Sequence, residues 1–195
     1  MEGLLRDNRN IEPQINGVVL HILIQKQDRR GEMANGIEVD EFKDYCSEML
    51  RKNTNIISNV ATNAVIGVFL DNGSEDNAEL KATSLAHEIR EKLYKYRKKG
   101  VQLILKACIT KGKVIIGSSL GGDEYEVLGN AVNSSFQLLD STHPMQISIT
   151  RKIKQRITDD FNIVTRRPVD IGFKRAQLYY LHTPKSEVCT VPQNF

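Results

Sequence analysis

Apolar residues run almost without a break from Gly17 to Gln25, GVVLHILIQ. A continuous, β-branched run of that length suits a central strand buried on both faces, since a strand with one wet side would alternate. From Glu38 the period changes: Val39, Phe42, Tyr45, Cys46, Met49 and Leu50 recur at helical spacing, which predicts an amphipathic helix ending near Asn53. IISNVA and AVIGVFL then read as two short strands and DNGSEDNAEL as a turn. Ala82, Leu85, Ile89, Leu93 and Tyr96 define a long second helix closed by Gly100. Val101, Leu103, Leu105, Ala107 and Ile109 alternate; KGK and then VIIGSS follow, so a hairpin turning at KGK is expected. QISITRKIKQ and FNIVTRRPVDIGFKRAQLYYLH read as a short strand, a short helix and two or three closing strands. This order of elements predicts an α/β sandwich with helices packed on one sheet.

The chain has 195 residues, close to one ordinary domain and enough to bury about two thirds of its extended surface. A single domain over residues 1–195 is expected, with 1–15 a flexible N-terminal segment and 185–195 a C-terminal tail. Hydrophobic content of 40% beside 26% charge and 5 prolines marks a globular chain. No apolar run approaches the roughly 20 residues of a membrane helix. Cys46, Cys108 and Cys189 make an odd count without CxxC or a histidine at metal spacing, which argues against a disulfide framework or a zinc site and for a reducing, cytoplasmic setting. MEGLLRDNRNIEPQ is too polar for an export signal. A net charge of +3 is too mild to imply nucleic acid.

Several conspicuous residues read most simply as structure. The cations of KLYKYRKKG sit at a helix C-terminus, where they complement the dipole. Arg166, Arg167, Lys152, Lys154 and Arg156 read as dispersed surface charge. His21, His87, His143 and His182 stand beside no nucleophile, and Ser118, Ser119, Ser134 and Ser135 beside no base. SSLGG lacks P-loop spacing. GGDEY is one aromatic swap from the GGDEF signature of enzymes that make cyclic di-GMP. The acidic turn that should accompany it is matched only by VDEFKDY, which stands too far upstream and follows no strand. The spacing therefore does not support that signature.

From Leu103 to Leu138 the sequence runs LILKACITKGKVIIGSSLGGDEYEVLGNAVNSSFQL. Ile109, Gly112, Val114, Gly117, Gly121, Tyr125, Gly129, Asn130, Val132, Asn133 and Leu138 follow, in order, the strand, glycine turn, strand and helix pattern of another family. On these positions the chain resembles the class III adenylate and guanylate cyclase homology domain. GVVLHILIQ stands where that family has its first strand, NVATNAVIGVF where it has its second hairpin, and VDIGFKRAQLYYL where it has its closing segment. The resemblance implies a ferredoxin-like βαββαβ palm of the α+β class, with helices on a mainly antiparallel sheet.

The resemblance also implies where chemistry belongs. These cyclases close a ribose 3′-hydroxyl onto the α-phosphate with two divalent metals held by two aspartates, and hard cations require oxygen ligands. Leu23 stands at the first aspartate position and Asn63, after Thr62, at the second, so the metal set is empty. Asp28 and Asp71 lie several residues beyond those places. The transition-state pair maps to Asn133 and Gln137, where glutamine lacks the charge-assisted fork of arginine. The base-selecting pair maps to Asn59 and Glu126. The phosphate-binding lysine falls on Ile171, with Lys174 and Arg175 close behind.

These substitutions imply a catalytically degenerate, dimerising domain that takes a nucleoside triphosphate as a signalling module, a pseudoenzyme in cyclic nucleotide signalling. No cofactor is expected; Mg²⁺ or Mn²⁺ enters only if the chain is active. Two alternatives stand beside it. One is a heterodimer in which another cyclase domain supplies both aspartates; the other is a working nucleotidyl cyclase, a phosphorus-oxygen lyase, with rewired ligands.

Overall fold

The computed structural model describes residues 14–27, 33–34, 36–54, 56–71, 77–98, 102–118, 125–171 and 174–185. Strand β1, Ile15–Gln27, runs through the middle of the molecule. Val18, Leu20, Ile22 and Ile24 enter the main core on one face, while Val19, His21 and Leu23 take the other. The unbroken apolar run thus has the predicted cause: neither face of this strand meets water. Short β2, Met33–Ala34, pairs with its end.

Helix α1, Ile37–Asn53, lays Val39, Phe42, Cys46 and Leu50 on the main core, as the spacing predicts. Its first turn is acidic and its last basic, matching the helix dipole. Strands β3, Ile56–Ala61, and β4, Ala64–Leu70, form the expected hairpin. A Cβ on Gly67 would run into Leu50, so glycine lets α1 lie close on β4.

Helix α2, Ala78–Lys98, begins inside the segment read as a turn. Asn77 Oδ1 accepts the Leu80 N–H at 3.0 Å, so asparagine acts as a helix cap where it had been read as a turn residue. Gly100, read as its stop, lies outside the described residues, as do residues 1–13, Asp28 and Cys189. Cys46 and Cys108 are buried free thiols.

The largest departure from expectation is at KGK. β5, Leu103–Ser118, is one continuous strand of 16 residues with no hairpin at Gly112. The reason lies in its neighbour: β1 pairs with it from Ile15↔Val114 to Lys26↔Leu103, straight through Gly17↔Gly112. Gly112 is there for close approach, because a Cβ would collide with Asn130 Oδ1. β6, Tyr125–Leu128, folds back on the far end of β5, so the tyrosine of GGDEY opens a strand, while 119–124 lie outside the described residues.

The remaining elements are α3, Asn130–Asp140, β7, Ile147–Ile149, α4, Arg151–Ile157, β8, Phe161–Thr165, β9, Val169–Ile171, β10, Lys174–Ala176, and β11, Tyr179–Pro184. Among the described residues, four short closing strands stand where two or three were expected. The main sheet runs β3-β4-β1-β5-β7-β11-β8, and β9 and β10 pair separately with each other. All pairings are antiparallel except β5 with β7. This is the mixed α/β palm with a mainly antiparallel sheet. α1 and α2 cover one face, and α3 covers part of the other. No helix among the described residues is long and apolar enough to cross a membrane.

Candidate functional site

Register brings the two predicted metal positions together. Leu23 on β1 pairs with Ala64, and the Ile24 N–H donates to the Asn63 carbonyl at 2.9 Å. The β3–β4 turn, Thr62 and Asn63, therefore sits at the side of Leu23, from residues far apart in sequence. Leu23 is partly buried and packs with Cys108, Leu138, Leu139 and Leu178.

The chemistry of these side chains does not suit a divalent cation. Leucine offers no donor atom, and an asparagine amide is a neutral oxygen where a carboxylate would be needed. Among the described residues, no three His, Cys, Asp or Glu side chains gather. Asp71 cannot reach this place. It follows the opposite end of β4, roughly 23 Å along a strand of this length, and its carboxylate lies 2.6 Å from Lys111 Nζ. The same ammonium meets the buried Glu79 at 2.7 Å, tying β5 to the start of α2.

Helix α3 carries Asn133 and Gln137, one turn apart and both exposed on its outer side. Its inner side is held by polar groups reaching up from the strands. The Lys113 N–H donates to Asn130 Oδ1 at 2.9 Å, Thr110 Oγ1 to the Ala131 carbonyl at 2.8 Å, and Cys108 Sγ to the Ser135 carbonyl at 3.1 Å. His21 adds a fourth contact, its Nδ1 lying 3.1 Å from Ser135 Oγ. Ser135 has one hydroxyl proton, and it goes to the Val132 carbonyl at 2.7 Å. The imidazole is therefore the donor, and the neutral ring carries its proton on Nδ1.

His21 is 1% exposed and Ser135 0%, so no substrate reaches this pair and it is a clamp, not a nucleophile with its base. Burial holds the His21 pKa down to about 4. The edge of the ring is covered by Phe136, centroids 4.6 Å apart in a T-shaped arrangement. Phe136 itself remains 45% exposed.

The base positions lie on neighbouring elements. Asn59 is half-buried on β3, and Glu126 is exposed on β6, across from Gly117. The two strands meet through Ile56 and Val127 in a second small core under α3. Lys174 and Arg175 are on β10, which pairs with β9 apart from the main sheet; Arg175 is exposed. The structure thus sets Leu23 beside the Asn63 turn, Asn133 and Gln137 on the outer side of α3, and Asn59 and Glu126 on adjoining strands. A cleft of about 430 Å³ between α2 and the α4–β8 turn contains none of them.

Sequence reading passed over His21, Cys108, Thr110 and Ser135 as a group. They fall on three elements, and the one local signal was a histidine inside an apolar strand.

No protein-family model matches the chain, and no curated protein matches it in sequence. Solved structures do match in fold. The adenylyl cyclase CyaB from P. aeruginosa is similar with a TM-score of 0.72 at 18% identity, covering 88% of this chain and 95% of that one. The guanylate cyclase domain of RhGC from Catenaria anguillulae, in complex with GTP, gives 0.70 at 14%, covering 89% and 100%. The non-canonical dimeric guanylyl cyclase domain of the RhoGC fusion protein from the aquatic fungus Blastocladiella emersonii gives 0.70 at 14%, covering 89% and 99%. The fold is that of the class III adenylyl and guanylyl cyclase domains.

Proposed function

We propose that this chain is a cyclase-fold signalling module that dimerises and binds a nucleoside triphosphate but does not carry out two-metal cyclisation. The observation that carries the reading is the placement of Leu23, paired with Ala64, beside the Thr62–Asn63 turn. Register brings these positions side by side, and they offer a hydrocarbon, a hydroxyl and an amide where two carboxylates would hold cations. Without the cations, neither the attacking oxygen nor the pyrophosphate charge is stabilised.

Retained nucleotide binding is supported by the outward face of α3. Asn133 and Gln137 both have amide donors for phosphate oxygens, and neutral donors of this kind bind a triphosphate more weakly than arginine does. Glu126 is a carboxylate acceptor for the amino or imino edge of a base, with Asn59 on the neighbouring strand. The fold neighbour in complex with GTP supports the ligand class, and the dimeric one supports pairing. Phe136, half-exposed beside Gln137, gives that helix an apolar contact for a second chain.

Calorimetry with each triphosphate, with and without Mn²⁺, tests the reading, alongside a turnover assay and light scattering at several concentrations. Binding that needs no metal, without turnover, is the expected result. Metal-dependent cyclisation by the chain alone overturns the loss of catalysis, and no binding of any triphosphate overturns the ligand.

A second reading follows from the exposure of Asn133 and Gln137. In a heterodimer the other domain would bring both carboxylates while this chain presents Asn133 and Glu126 to the nucleotide. Turnover that appears only on mixing with a carboxylate-bearing cyclase domain is its signature.

A further inference from the structure

Strand β8 closes one end of the main sheet. Among the described residues it pairs with β11 alone, whereas the opposite end, β3, lies against β6. Natural sheets blunt such an edge with a charge, a proline or a bulge in the strand, because its unpaired amides invite another chain. FNIVT, Phe161–Thr165, has no charge and no proline. The extra residue in its ladder is carried by β11, between Leu181 and Pro184. Val164 is 41% exposed, and Ile163 is half-buried.

The backbone of β8 faces two ways. The Arg166 N–H donates to the Leu178 carbonyl at 3.0 Å, and the Lys185 N–H donates to the Asp160 carbonyl at 2.8 Å. Even-numbered positions thus turn their backbone groups toward β11, and Phe161, Ile163 and Thr165 turn theirs outward. Helix α4 packs on α2 and β5, inward of this edge.

The charges around the strand are opposite at its two ends: residues 159–167 read DDFNIVTRR. Asp159, Asp160, Arg166 and Arg167 are exposed and form no ion pair among the described residues. Arg166 is held in place, its guanidinium 5.2 Å from the centre of the Tyr180 ring. A second copy laid antiparallel along β8 and centred on Ile163 sets Phe161 opposite Thr165 and Ile163 opposite itself, so all three outward-facing residues find partners. The same register sets Asp160 opposite Arg166 and Asp159 opposite Arg167, at both ends. Centring on Asn162 or Val164 instead leaves one outward residue unpaired and misaligns the charges. A peptide of one sign would match only one end of the strand.

We propose that β8 is a self-recognition edge: two copies of this chain join antiparallel through Phe161–Thr165 about a two-fold axis at Ile163, so that one sheet continues into the other. Backbone hydrogen bonds supply the attraction, and the charge pairs fix direction and register. The contact goes beyond the reading above and needs no nucleotide. It is also separate from α3, since Phe136 packs over His21 on β1, four strands away in the sheet and roughly 19 Å at the usual strand spacing.

Cysteine trapping in the full chain tests this. In the proposed register Asn162 of one copy faces Val164 of the other as a non-hydrogen-bonded pair, with Cα atoms about 4.5 Å apart, a span that a disulfide bridges. After oxidation with copper phenanthroline, a mixture of Asn162→Cys and Val164→Cys should yield a disulfide-linked heterodimer, while neither variant alone should exceed the parent chain, whose own thiols set the baseline. Sedimentation of charge swaps made on Phe136→Ser, which removes the apolar α3 contact, gives a second test. Asp160→Lys and Arg166→Glu each make the end contacts repulsive and should weaken self-association about tenfold. Mixing the two restores opposite charges at both ends and should recover the affinity of Phe136→Ser. No heterodimer above either cysteine variant alone, trapping that disappears with Phe136→Ser, or a charge-swap mixture that associates no better than its components overturns the proposal.

Discussion

His21 on β1 and Ser135 on α3 meet at 3.1 Å inside the fold, the imidazole giving its proton to a hydroxyl whose own proton is already committed to the Val132 carbonyl. This contact fixes the rotational setting of the helix that presents Asn133 and Gln137. It also makes that setting a function of acidity.

The folded chain keeps His21 neutral, with a pKa near 4 against an ordinary 6.5, so the unfolded chain takes up the proton first. Its contribution is complete above pH 6.5, declines as pH falls, and is gone below about 4, a total of about 3 kcal/mol. Urea titrations at pH 7 and pH 4 should show that loss. His21→Gln keeps a donor for Ser135 but does not titrate, so the part of the loss due to this residue should vanish. An equal acid loss in both proteins would rule out His21 as its source.

Restoring carboxylates at the paired positions should create a cation site. Leu23→Asp with Asn63→Asp places two acids at a contact already closed by the Ile24–Asn63 hydrogen bond. Leu23→Asp removes a partly buried side chain from its cluster and should lower stability by about 1–3 kcal/mol. Titration of the folded double variant with Mn²⁺ should reveal binding that the parent lacks. No gain in metal affinity would show that these are not the equivalent positions.

Gln137→Arg should tighten triphosphate binding. A charge-assisted contact is worth roughly 1 kcal/mol or more beyond a neutral one, hence about a fivefold to tenfold gain, smaller at high salt. The residue is exposed, so stability should hardly change. Calorimetry at two salt concentrations reads both quantities, and an unaltered affinity would place the phosphates elsewhere.

Gly112→Ala should cost about 1 kcal/mol by pushing Asn130 Oδ1 off the Lys113 N–H and loosening the first turn of α3. Asn130→Ala removes the same hydrogen bond. The two changes should therefore add to clearly less than their sum in a double-mutant cycle. Strict additivity would mean that the collision is relieved elsewhere.

Those expectations separate what the chain announces from what it conceals. β1, α1 and the body of α2 were legible because burial imposes a period on each of them: both faces dry in the strand, one stripe dry in each helix. KGK misled because a glycine between charged residues has the same local signature whether it turns the chain or clears space for Asn130, and only β1 running alongside decides. The α3 clamp was hidden for a related reason. Its donors come from His21, Cys108, Thr110 and Lys113, whose ring, thiol, hydroxyl and backbone groups have no spacing relation to Asn130, Ala131 or Ser135. The placement of Leu23 against Asn63 was legible through likeness to a known pattern and then through register, while nothing local in either residue suggested a shared site.

The long ladder between β1 and β5 sets the order in which the molecule can be made. Ile15 waits for Val114 and Lys26 for Leu103, so the strand that organises both layers has β4 and the two-residue β2 beside it, with the edge for β5 bare, until most of the chain has been synthesised. Pairings of such separation close slowly, and an apolar strand with one bare edge is a template for other chains in the interval. Newly made protein of this kind should depend on chaperones up to the emergence of β5, and a chain cut short after α2 should accumulate as aggregate.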